Sequence, residues 1–228
     1  MRQLLPFLLL ALPPFLLTAQ TSVQDFKLGG GARILNDECI RLTDDAPFES
    51  GSAWYEKAID LSQPFELTVC IVLGNNDEAG ADGIGFIFHP TMRTGYRGEG
   101  MGFAGLVPSL GIEFDTYQNY HLADPAEDHV AINLNGRTHS YSSVVGPNPV
   151  PNLEDGKKHL LWVNWDPIER TLTVQLDGEE RALLNANIVE EVFGGNPTVF
   201  WGVTAATGRK TNFQDICIKK LTFAEARF

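Results

Sequence analysis

The sequence predicts an all-β protein of one domain, a β-sandwich or a barrel. Three observations carry that expectation. Short runs of alternating apolar and polar residues, rich in β-branched and aromatic side chains, recur along the chain. Gly, Pro, Asn and Asp fill the gaps, as at Gly74-Asn75-Asn76 and Gly194-Gly195-Asn196-Pro197. Only one stretch, Leu183 to Val192, reads as a helix, and it is too short to anchor a helical layer.

The expected strands are Cys39–Thr43, Phe65–Leu73, Gly83–His89 and Leu110–Thr116, followed by His129–Leu134, His159–Trp165, Thr171–Leu176, Val199–Thr204 and Asp215–Phe223. Gly29-Gly30-Gly31 reads as a turn and not a phosphate loop, because no Lys-Ser or Lys-Thr follows it. No linker, low-complexity tract or internal repeat divides the chain.

The first segment stands apart from this pattern. Arg2 precedes an apolar run from Leu4 to Leu17, and small residues follow at Thr18-Ala19. That is the layout of a secretory signal peptide over residues 1–19, leaving 20–228 as the folded domain. The run is short for a bilayer, and Pro6, Pro13 and Pro14 interrupt it, so no membrane span is expected. A secreted, periplasmic or cell-surface protein is the expectation. Without residues 1–19 the chain keeps 16 basic and 29 acidic residues, a net charge of −13. So acidic a chain is a poor partner for nucleic acid or an anionic membrane, and well suited to collecting cations.

Cys39, Cys70 and Cys217 are too widely spaced for a zinc site. In an oxidising compartment disulfides persist, and with three cysteines at least one stays unpaired or pairs with another molecule.

The chemistry concentrates between Gly111 and His129. In a strand, residues two apart share a face, so Glu113, Asp115, Tyr117 and Asn119 would project together while Ile112 and Phe114 enter the core. A loop turned by Asp124-Pro125 then returns the chain to a strand at His129, bringing Asp124 and His129 over the same face. Carboxylate, amide and carbonyl oxygens suit Ca²⁺. An imidazole among carboxylates suits Mn²⁺ or a similar transition ion. Asp115 and Asp124 could bridge two such ions. An EF-hand is excluded, since the loop from Asp115 lacks the mid-loop Gly and has Ala126 at its twelfth position.

With its Asn, Asp-Pro and His in this order, the Ile112-Glu113-Phe114-Asp115-Thr116 strand resembles that of the L-type lectins, the family of legume seed lectins, and particularly its bacterial members. Three more blocks are similar to that family: Ala81-Asp82-Gly83-Ile84-Gly85-Phe86, Gly100-Met101-Gly102-Phe103-Ala104-Gly105, and Gly202 to Gly208. The resemblance spans the mature chain and implies a jelly-roll, concanavalin-like sandwich. It implies Ca²⁺ on Asp115, the Tyr117 carbonyl, Asn119 and Asp124, and a transition ion on Glu113, Asp115, Asp124 and His129. It also implies a sugar site in which Asp82 accepts from hydroxyls, while Asn119 and the Gly102 N–H donate. Tyr117 would stack on the ring, and Arg209 and Lys210 would line the specificity loop. A Cys39–Cys217 disulfide and a cis Ala81–Asp82 peptide bond are implied as well.

On this reading the protein is a metal-dependent lectin that binds glycans without catalysis. A single sugar would bind at around millimolar affinity, so a homo-oligomer or a repeated epitope would supply avidity. Two other readings compete. A protein-binding or adhesion module could keep the sandwich and metals without sugar recognition. A glycoside hydrolase would need a second carboxylate about 5–5.5 Å from the first for retaining chemistry, and Tyr117 and Gln118 fall where it is expected.

Overall fold

The structure, a computed structural model, describes residues 22–226. Those residues form fifteen strands. The first seven are β1 (Phe26–Gly30), β2 (Arg33–Ile34), β3 (Cys39–Thr43), β4 (Ser50–Tyr55), β5 (Ile59–Asp60), β6 (Phe65–Val72) and β7 (Gly83–His89). Then come β8 (Leu110–Asp115), β9 (His129–Leu134), β10 (Val145–Pro149) and β11 (His159–Asp166). The last four are β12 (Thr171–Leu176), β13 (Glu179–Asn185), β14 (Thr198–Ala206) and β15 (Gln214–Thr222). An eight-stranded sheet runs β1-β4-β14-β7-β8-β9-β10, with β5 pairing β14 off this path; a seven-stranded sheet runs β13-β12-β11-β6-β15-β3-β2. Every paired neighbour is antiparallel, and the two separate sheets make a sandwich, as the resemblance implied, and not a barrel. The expected signal peptide, 1–19, lies outside the described residues. Among those described, no helix is long and apolar enough to cross a membrane.

Alternation decides which side chains form the core. Ile84, Phe86, Ile112, Phe114, Val130 and Ile132 from the first sheet meet Leu67, Val69, Ile71, Leu161, Val163, Trp165 and Ile216 from the second. Burying a side chain of this size contributes about 1.5–3 kcal/mol. The intervening residues of β8 and β9 are therefore forced to the outer face of the first sheet. A smaller apolar cluster of Trp54, Ile87, Phe103 and Leu106 covers part of that face and pins the 90–109 loop against it. Gly111 makes this possible, since a Cβ there would lie 2.6 Å from Phe103 Cζ.

The helix expected over Leu183–Val192 is corrected. Residues up to Asn185 belong to β13, and only Ile188–Glu191 form a helical turn. Asp177 and Gly178, both at positive φ, join β12 to β13. An Asp-Gly pair of that kind is a strong hairpin signal, and it recruits Ala182 and Leu184 into the core by alternation. Gly29 and Gly30 are likewise the end of β1, not a free turn.

Cys39 and Cys217 are bonded, as the resemblance implied, and Cys70 is a buried free thiol. All three lie in one row across the second sheet, with Cys217 opposite Cys39 on one side and Cys70 on the other. Ile218 N donates to Glu38 O at 2.8 Å. Cys39 and Cys217 are thus a non-hydrogen-bonded pair, the kind in which side chains approach most closely. The bridge spans 178 residues of sequence, so it restricts the unfolded chain strongly. Cys217→Ala is expected to cost about 2–5 kcal/mol. Its melting temperature should fall by roughly 5–15 °C for a domain of this size. Cys217 is the position to change, because in a Cys39 variant its thiol would still face Cys70. An unchanged melting temperature would show that the bridge does not hold β3 onto β15.

Candidate functional site: an acidic, histidine-bearing cluster beside a buried aspartate

The register of three adjacent strands assembles the cluster. Gly83 of β7 pairs with Asp115 of β8, which pairs with His129 of β9. Asp115 and His129 therefore stand side by side on the outer face, with Glu113 two residues back along β8. All three are buried, as is Asp124. Ligand atoms of Asp115, Asp124 and His129 lie within 4.8 Å of one another. β8 ends at Asp115, so Tyr117 and Asn119 reach the site on a loop and not by strand alternation, which corrects that expectation. The loop is tied down locally. Tyr117 N donates to Asp115 Oδ1 at 2.8 Å, Asn119 N to Asp124 Oδ2 at 3.1 Å, and Gln118 Nε2 to the Asp124 carbonyl at 3.3 Å.

Several buried polar atoms in this cluster have no hydrogen-bond partner among the described residues: Glu113 Oε2, His129 Nε2 and Asn119 Oδ1. An unpaired buried acceptor costs about 1–3 kcal/mol, more if charged, so such atoms call for a ligand. His129 Nδ1 sits 3.2 Å from the Glu127 carbonyl. With the proton on Nδ1, the Nε2 lone pair faces the acids, as it does in a metal-ligating histidine oriented by a backbone carbonyl. Burial pushes Glu113 up to about 8 and raises Asp115 well above the ordinary carboxylate range, with the neighbouring acids adding to both. The same burial lowers His129. Crowded acids that would rather be neutral, beside a histidine that would rather be neutral, are what a divalent cation stabilises as charged and neutral ligands respectively. The residues present therefore fit a metal site.

Asp82 lies immediately before β7 and is 5% exposed, with Oδ2 unpaired. Its backbone is locked in place: Asp82 N donates to Ala206 O, and Thr116 N donates to Asp82 O. The Ala81–Asp82 peptide bond is cis, as the resemblance implied. Gly98 and Gly208 face the carboxylate from two sides; a Cβ on them would lie 3.8 Å from Oδ2 and 3.6 Å from Oδ1. Burial raises Asp82 to about 7, with Glu99 contributing. Tyr117 is part-exposed, and Arg209 and Lys210 are exposed just beyond Gly208.

Gly102 requires a correction. Its N–H donates to the Tyr96 carbonyl at 2.7 Å, so it is not a free donor, and a Cβ there would meet Thr204 and not the pocket. The glycine of this loop that faces Asp82 is Gly98. Two other residues escaped the sequence reading. Ser140 Oγ donates to Asp124 Oδ1 at 2.7 Å, from a 3₁₀ turn eleven residues past His129. Glu99 Oε2 accepts from Asn119 Nδ2 at 3.4 Å and lies 3.0 Å from His121 Nε2. A charged residue between two glycines, Gly98-Glu99-Gly100, was the available signal for the second; nothing local marks the first.

A two-sheet antiparallel sandwich with a carboxylate–imidazole cluster and a buried, unpaired aspartate beside it defines a lectin-type domain. The chain belongs to the family of the legume lectin beta-barrel domain, whose model matches residues 17–220. Among proteins it is similar to the L-type lectin-domain containing receptor kinase I.10 of Arabidopsis thaliana, 26% identical over 220 residues. That match covers 85% of this chain and 35% of the kinase, so the chain spans about a third of that relative's length. A lectin-like protein of the same plant is 28% identical over 211 residues, covering 76% of this chain and 75% of the relative. Among solved structures, the fold is similar to the lectin from Bauhinia forficata in complex with GalNAc. The TM-score is 0.74 at 21% identity, covering 92% of this chain and 96% of the other. These matches are to the family at large and do not single out its bacterial members.

Proposed function

We propose that this protein is a secreted, metal-dependent carbohydrate-binding protein that recognises glycans without catalysis, on the pattern of the bacterial-type members of its family. The observation that carries the reading is the Asp82 carboxylate: buried, unpaired at Oδ2, and held open to backbone at Gly98 and Gly208. A sugar offers adjacent hydroxyl donors that would satisfy it. Asn119 would turn its Oδ1 to a cation and its Nδ2 to the sugar. Asp115, Asn119, Asp124 and the Tyr117 carbonyl would hold Ca²⁺, and Glu113, Asp115, Asp124 and His129 a transition ion such as Mn²⁺. Cations held there would neutralise the clustered acids, and the 116–124 loop, tied to Asp115 and Asp124, would then be preorganised for sugar. Tyr117 would stack on the sugar ring, and Arg209 and Lys210 would tune which sugar is accepted.

The cysteine bridge supports an extracellular or periplasmic setting, and the acidic charge balance weighs against nucleic acid as a partner. The test is a glycan array probed with purified protein before and after EDTA, with Ca²⁺ and Mn²⁺ added back. Glycan signal lost on chelation and restored by metal is the expected result. Undiminished signal after thorough chelation would remove metal dependence, and silence on every glycan would favour a protein-binding module instead. Release of reducing sugar from a polysaccharide panel would overturn the non-catalytic part.

A further inference from the structure

The pocket around Asp82 contains a second carboxylate, that of Glu99. The 3₁₀ turn Gly98–Gly100 sets its position. Gly98 takes φ +59 beside Asp82, Met101 N donates to Gly98 O at 2.7 Å, and a Cβ on Gly100 would lie 2.8 Å from Ala104 Cβ. From that turn Glu99 reaches over Asn119, accepting from Nδ2 at 3.4 Å. Glu99 therefore borders the same site: Gly98, the residue before it, faces the unpaired Asp82 Oδ2, and its own carboxylate holds the Asn119 amide. His121 Nε2, 3.0 Å away, is the one basic side chain paired with Glu99 among the described residues. Arg97, Arg209 and Lys210 form no ion pair with either acid there.

A neutral sugar satisfies one carboxylate through its hydroxyls. It leaves the second desolvated by the ligand and opposed by the first, a like-charge juxtaposition that costs affinity. A ligand bearing an ammonium brings three donors and a positive charge, which carboxylates bind more strongly than they bind a neutral hydroxyl. We infer that Glu99 is a specificity-determining residue, which makes this pocket prefer a hexosamine with a free ammonium over the neutral or N-acetylated form of the same sugar. The inference rests on the carbohydrate-binding reading above and deepens it by naming the sugar class.

The experiment is calorimetric titration of the Ca²⁺- and Mn²⁺-loaded protein with glucosamine, galactosamine and mannosamine, each beside its parent hexose and N-acetyl derivative. The pH is held near 7.3, above the about 7 of Asp82 and below the about 7.7–8.0 ordinary for an α-amino group, so that the acid and the amine are both mostly charged. The readout is the ratio of affinities within one sugar series. Wild type should favour the ammonium form about tenfold. The ratio should shrink in high salt, because Glu99 is half exposed. In Glu99→Gln, which keeps the shape and removes the charge, it should fall to about twofold or less. Circular dichroism confirms that the variant is folded. Equal affinity for the ammonium and neutral forms in wild type, or an undiminished ratio in Glu99→Gln, would overturn the inference while the carbohydrate reading stands. Failure of every hexose and of the glycan array would bring down the carbohydrate reading itself, and this inference with it.

Discussion

Stripped of metal with EDTA, the protein should become less stable as pH rises from about 6.5 to 8.5, and loading with Ca²⁺ and Mn²⁺ should flatten that slope. The sign follows from where the protons sit. Glu113, at about 8 in the folded state, and Asp115, higher than the ordinary range, are protonated in the folded protein under conditions where the unfolded chain has lost those protons. A raised carboxylate contributes stability that is present at low pH and lost as pH climbs through its folded value. Asp82, at about 7, adds in the same direction. His129 is lowered, so its contribution disappears on acidification, below about 6.5; the chosen window avoids it.

Glu113 alone makes the metal-free protein about 2 kcal/mol less stable at the upper end, a fall in melting temperature of roughly 4–8 °C. Glu154, also raised to about 8 by burial, tilts both forms alike, so the quantity to read is the difference between them. A cation must displace the same protons, so the metal-induced rise in melting temperature should grow across the window. Scanning fluorimetry at the two pH values, with EDTA and with metal, is sufficient. Equal melting temperatures with and without metal at both pH values would remove the cation from this cluster.

Asp82→Ala should abolish sugar binding while leaving the melting temperature of the metal-free protein unchanged or higher. Both halves come from one fact: the carboxylate is buried with Oδ2 unpaired. Removing it takes away no protein hydrogen bond from Oδ2 and relieves a desolvated acid, while the backbone bonds to Ala206 and Thr116 remain available to alanine. Losing a charged acceptor for a hydroxyl costs about 1.5–3 kcal/mol, ten- to a hundredfold, which moves a millimolar site out of measurable range. Wild-type titration by the variant would place the sugar elsewhere. A large loss of stability would instead make Asp82 a structural residue.

How much of this was readable in the residues depends on the range of the interaction. The strands whose alternation is strong, such as Phe65–Val72 and His129–Leu134, declare themselves because a period of two is a local property of the backbone. The edge strands β1 and β10 do not, since glycines in one and prolines in the other mask the period. The misread helix at Leu183–Val192 shows propensity overruled by pairing: Leu-rich sequence is drawn into β13 because the Asp177-Gly178 turn lays it against β12.

At the site, the expectation grouped Glu113, Asp115, Asp124 and His129 by type and order, and the structure brings Asp115, Asp124 and His129 within ligand distance of one another. What only the tertiary structure decided is who stands next to whom. The register of β7, β8 and β9 puts Gly83, Asp115 and His129 in one row. The fold of the 90–109 loop turns Gly102 away and Gly98 and Glu99 inward, and a distant turn delivers Ser140 to Asp124. Those contacts join residues far apart in sequence, and a hydrogen bond across such a gap leaves no periodicity in either segment. Residue types along this chain thus set its strands and its acid–histidine composition, while long-range packing chose the groups that surround Asp82.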